Sequence, residues 1–175
     1  MKSAQPLASR ELQFLSCEVE LTPRVFLDVS AAEARLTDVL ERFEKLKADG
    51  APSQTVRTAE CDWFGAEEAL TLARAQQNGL LERVTNASMP AEIQIIKIGE
   101  MNFAAWPCEI FVEHGLSLKS KCENTYVISL ANGESQGYIV TEEAEAEGGY
   151  EASNGMFTAE SGRILVEATA RLLGR

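Results

Sequence analysis

Apolar and polar residues alternate from Leu12 to Leu21, where Leu15, Cys17, Val19 and Leu21 interleave with Ser16, Glu18 and Glu20. A period of two predicts a half-buried β-strand, closed by Thr22-Pro23. The period then lengthens. Leu36, Val39, Leu40, Phe43 and Leu46 recur at helical spacing behind Ser30-Ala31-Ala32-Glu33. That tetrad reads as a capping box, in which hydroxyl and carboxylate each satisfy a free donor at a helix start. Gly50 and Pro52 stop the helix. A second helical pattern runs from Ser53 to about Gln77, with Ala59, Trp63, Ala66, Leu70 and Ala73 on one face and Gly65 as a weak point. Gly79 to Pro90 reads as a connection with room for a short helical turn.

Ile93 to Ile98 is rich in β-branched residues, and Gly99-Glu100 suits a type II′ turn that returns the chain as Met101 to Trp106. Pro107 ends that strand. Ile110, Phe111, His114 and Leu118 outline a helix finishing near Glu123, and Thr125 to Leu130 reads as a short strand inside a sheet. Ala131 to Tyr150, punctuated by Gly133, Gly137, Gly148 and Gly149, reads as a long loop with at most one short helix. A last helix runs from about Ala159 to Leu173, capped by Thr158, with Leu165, Ala168 and Leu172 inward. Strands and helices interleave. The expected class is therefore α/β (or α+β), a layered mixed sheet flanked by helices, with residues 1–11 as a flexible N-terminus and 12–175 as one domain.

Composition narrows the function. Twenty-seven acidic residues against 16 basic ones give a net charge of −11. Such a surface repels phosphate backbones and anionic lipid, so neither nucleic acid nor stable membrane insertion is expected. No apolar run approaches the roughly 18 residues of a membrane span, and the first residues do not read as an export signal. The expected location is cytoplasmic. Cys17, Cys61, Cys108 and Cys122 form no CxxC pair, which suits small hydrophobes in a reducing compartment. His114 is the single histidine, so a His-rich metal site within this chain is excluded.

Two stretches could carry chemistry. Pro107-Cys108-Glu109 lies at the seam between a strand and the next helix, where a carboxylate meets the helix dipole and where layered sheets place ligands. The plain reading of Glu109 is a helix-start glutamate. Cys108 as a nucleophile would need His114 as its base, about a turn and a half away. The second stretch, Asn132 to Thr141, is a glycine-punctuated loop after a strand, a usual place for ligand-facing residues. Tyr138 within it reads equally well as a packing aromatic, and the glutamates at 142, 143, 145 and 147 as a solvated face.

The ordered set Trp106-Pro107-Cys108-Glu109, Leu130-Ala131-Asn132-Gly133, Gly137-Tyr138-Ile139-Val140-Thr141-Glu142-Glu143 and Gly149-Tyr150-Glu151-Ala152-Ser153 resembles the C-terminal half of the zinc amidohydrolase domain of the neutral/alkaline (non-lysosomal) ceramidase family. The resemblance spans most of the chain. It implies a zinc ion held by two histidines, a glutamate and a tyrosine, with Glu109 and Tyr138 in the positions of the last two. The implied reaction is hydrolysis of the amide of an N-acyl lipid. Cys108 stands where the family has glycine, and both histidine ligands belong to the N-terminal half of the family domain. The expectation is thus a portion of a ceramidase-like hydrolase, inactive alone, that takes up zinc only with a histidine-bearing half. The alternative is a non-catalytic binding or oligomerisation module descended from that fold. Because half of a layered domain leaves sheet edges and faces open, a homodimer or a complex with the missing half is expected.

Overall fold

The computed structural model describes residues 7–135 and 137–175. The flexible N-terminus expected over 1–11 lies outside the described residues as far as position 6, and residues 7–10 run as exposed irregular chain. Among the described residues the fold is mixed α/β, with seven helices, a four-stranded mixed sheet and a two-stranded sheet. No helix among them is long and apolar enough to cross a membrane.

The main sheet has the order β1-β2-β3-β5, built from β1 (Leu12–Val19), β2 (Ala91–Ile98), β3 (Met101–Ala105) and β5 (Thr125–Ile128). The first three strands are antiparallel neighbours, and β5 joins β3 in parallel. The hairpin forms at its expected turn. Gly99 takes φ 58° whereas Glu100 does not enter the left-handed region, the signature of a type II′ turn. A residue with a side chain at position 99 would also collide with the Ser9 carbonyl.

Period two on β2 sorts its side chains: Ile93 and Ile95 are fully buried, as is Ala104 on β3. This inner face meets α4 (Val112–Lys121) and α7 (Glu160–Leu172), which pack on β5 and β1 respectively and on each other. The indole of Trp106, fully buried, donates to the Thr169 hydroxyl at 2.9 Å, and that hydroxyl donates to the Leu165 carbonyl. One polar chain thus fastens the last helix beneath the sheet. A hairpin of α1 (Val29–Ala48) and α2 (Ser53–Gln77) flanks this layer, its two helices joined by the stacked pair Phe43–Trp63, 5.6 Å between centroids.

Several local expectations need correction. The cap of α1 is Asp28, whose carboxylate accepts from Ala31 N at 2.9 Å; Ser30 already lies in the first turn. A carboxylate both accepts the free N–H and complements the helix dipole, so the aspartate two residues earlier wins. The connection over Gly79 to Pro90 holds a full helix, α3 (Leu80–Ala87), which burying Leu81 and Thr85 on one face stabilises despite its short length. Thr158 does not cap α7. Its backbone N–H bonds to Thr22 O, beside the Pro23–Phe157 bridge, and the helix starts from Ala159 with no side-chain cap. The strand over Thr125 to Ile128 is the sheet's edge, with Tyr126 and Ile128 exposed.

Candidate functional site

The larger correction falls on the two stretches singled out for chemistry. Glu109 starts no helix. Glu109–Ile110 form a short strand, β4, and the expected loop from Ala131 to Tyr150 contains its partner β6 (Tyr138–Ile139), followed by α5 (Glu142–Glu147) and α6 (Tyr150–Asn154). β4 and β6 pair in parallel, with Glu109 in register with Tyr138 and Ile110 with Ile139. Aligned residues of neighbouring strands project to the same side, so carboxyl and phenol stand together. The ladder continues one step further, where Phe111 N donates to Ile139 O at 3.1 Å.

Each strand is held by its surroundings. Before β4, the chain leaves the sheet through buried Trp106, Pro107 and Cys108. The backbone of this segment is clasped by the loop after β5: Ala131 N donates to Trp106 O, Leu130 N to Cys108 O and Ser135 N to Pro107 O. Leu130 and Asn132 adopt φ of 51° and 63° to make the clasp, and Asn132 Nδ2 reaches Glu92 at 2.9 Å. Before β6, Gly137 at φ 85° lies so close to the Asn154 carbonyl and Gly155 that no side chain fits there. After it, Val140 O is bonded by His114 Nε2 at 2.9 Å.

That bond fixes the role of the one histidine. A carbonyl only accepts, so Nε2 carries a proton and is committed to Val140. The ring also lies against Gly162 of α7, where any side chain would overlap it. His114 is therefore a packing and hydrogen-bonding residue that fixes α4 and α7 against the end of β6.

Cys108, the alternative nucleophile, is fully buried, and burial pushes its thiol up to about 12. A thiol so far from ionisation is a core atom, not a nucleophile.

The phenol of Tyr138 is held protonated. Its pKa lies above the ordinary 10.0, first because it is desolvated and next because the Glu109 charge and hydrogen-bonding oxygen favour the O–H form. Tyr150 and Glu151, on the first turn of α6, act in the same direction. The Tyr150 ring meets Tyr138 edge-on at 6.2 Å and 68°. The site is thus four residues, Glu109, Tyr138, Tyr150 and Glu151, all presenting oxygen. The last two sat in the Gly149–Ser153 segment quoted for the resemblance, but the spacing alone gave no reason to bring α6 onto β6. The reason is Gly65 on α2. Its missing side chain lets Tyr150 and Ser153 approach, so the apparent weak point of α2 is the seat of α6.

As a zinc centre this set is incomplete. Carboxylate and phenolate oxygens are hard donors that zinc accepts, yet a closed site needs four ligands. Among the described residues no three of His, Cys, Asp and Glu gather in a metal-holding group. Two donors are placed; the imidazoles are not supplied by these residues. Elsewhere, a concavity of about 520 Å³ opens between Arg24, Phe26, Arg35, Ala66 and Ser153, and neither Glu109 nor Tyr138 lines it. No protein-family model and no curated protein matches this chain.

Proposed function

We propose that this chain is the C-terminal, carboxylate- and phenol-bearing portion of a ceramidase-like zinc amidohydrolase, inactive by itself and completed by imidazoles from a histidine-bearing segment. The observation that carries the reading is the parallel β4–β6 pairing, which sets Glu109 and Tyr138 side by side, the two residues the resemblance names as ligands. When bound, zinc would supply a Lewis acid and a water acidified to a pKa of about 7. The chain's own residues contribute a carboxylate, a protonated phenol and a rigid mount for both. Four free cysteines, one of them in the core beside the site, suit a reducing, cytoplasmic setting.

Zinc titration followed by the tyrosinate difference spectrum tests the reading, because phenolate coordination must displace the phenol proton. The chain alone should show no tyrosinate signal at micromolar zinc. Addition of a histidine-bearing N-terminal half-domain should produce the signal together with hydrolysis of an N-acyl sphingoid amide, and Tyr138→Phe and Glu109→Gln should each abolish both. Tight stoichiometric zinc uptake by Tyr138→Phe, or complementation indifferent to both substitutions, would refute it.

The second reading, a non-catalytic module, gains from Cys108, a buried side chain at the family's glycine position directly before Glu109. It predicts no zinc in any assembly.

A further inference from the structure

Among the described residues, the helices that pack on the main sheet, α4 and α7, lie on one of its sides. α4 and α7 take the inner face, and the registers line up an apolar set on the other. Phe14, Ile96, Phe103 and Tyr126 form one continuous row across all four strands. Leu12, Ile98 and Met101 form the next row, and Ile128 ends the row on the other side. Phe14 is 64% exposed, Leu12 55%, Ile128 46% and Tyr126 42%. The Phe103 and Tyr126 rings stack at 5.8 Å, leaving a flat aromatic floor.

We propose that this outer sheet face is the interface of a symmetric homodimer, in which two copies stack sheet on sheet. The exposed area of these side chains is on the order of 600 Å², at the top of the range for the largest apolar patch on a monomer and near the ~800 Å² per partner of a standard interface. The occupant is a second copy because the face is self-complementary. Both edges of the central row carry an aromatic, Phe14 on β1 and Tyr126 on β5, so a two-fold axis along the strands lays Phe14 over the partner's Tyr126 and Ile96 over the partner's Phe103, apolar on apolar along that row, with Ser16 at the edge of the flanking row facing the partner's Ile128. Charged side chains on this face, Glu18 and Glu92, sit together at one end of β1 and β2, outside the apolar rows. Two twisted sheets pack in this way about 10 Å apart with strands near −30°.

The interface does not involve Glu109 or Tyr138 and stands whether or not the chain binds zinc. Light scattering coupled to size exclusion at micromolar concentration should give twice the 19.1 kDa of the chain. Phe14→Glu and Tyr126→Glu should each weaken association at least tenfold, with the circular dichroism of the wild type retained. Ser16→Arg, an exposed substitution on the same face, should do so too and serves where the aromatic changes disturb folding. Val25→Glu, at a residue 86% exposed and away from the sheet, should leave the dimer intact. A wild-type monomer at this concentration overturns the proposal and leaves the face to a different protein. A dimer indifferent to all three sheet substitutions also overturns it.

Discussion

Tyr138 shows how a single side chain reports its neighbourhood. Three tyrosines are present, and only Tyr138 pairs in register with a carboxylate. Alkaline titration read by tyrosinate absorbance should show one tyrosine ionising later than the ordinary 10.0; Tyr138→Phe should remove that late component, and Glu109→Gln should move it down. The stability consequence has a definite sign. The unfolded phenol loses its proton first, so the folded state binds more protons in that window. The contribution is complete below pH about 10 and disappears as pH rises through the folded value, and Tyr138→Phe should flatten this alkaline decline in urea-denaturation midpoints. At the same scale, His114 and Cys108 look reactive in the sequence and are structural in the fold. One is consumed by the Val140 carbonyl and the other by burial.

Among the elements, those governed by local periodicity were legible and those governed by partners were not. The helix from Ser53 to Gln77, the strand starting at Leu12 and the Gly99-Glu100 hairpin follow from spacing, β-branching and glycine. The cap of α1 did not. Ser30 and Asp28 are both good capping residues, and only the backbone shows which one is outside the first turn. Asp28→Ala should cost about 1 kcal/mol in chemical denaturation, whereas Ser30→Ala should stay within a few tenths. The strands β4 and β6 are two residues each and carry no periodic signal at all. Neither is stable without the other, and their pairing depends on the clasp over Trp106 to Cys108, the crowded Gly137 and the seat at Gly65.

For the molecule as a whole, α7 closes the inner face. The indole N–H of Trp106 has its partner on that helix, so Thr169→Val, which keeps the shape and removes the hydroxyl, should strand a fully buried donor. A loss of about 1–3 kcal/mol is expected, measured as a shift in denaturation midpoint with an unchanged slope. The outer face has no such lid among the described helices, and the proposed self-association would remove its apolar rows from water.

The sequence by itself determined the long helices, the main strands, the mixed α/β class and the two residue types worth watching, since these rest on side-chain order and on the chemistry of carboxyl and phenol. Which side of the sheet stays open, and that Glu109 meets Tyr138 across a parallel pair, were decided by the tertiary structure. Pairing between distant short strands has no local period; it is set by backbone hydrogen bonds and close packing that form only when the whole chain is in place.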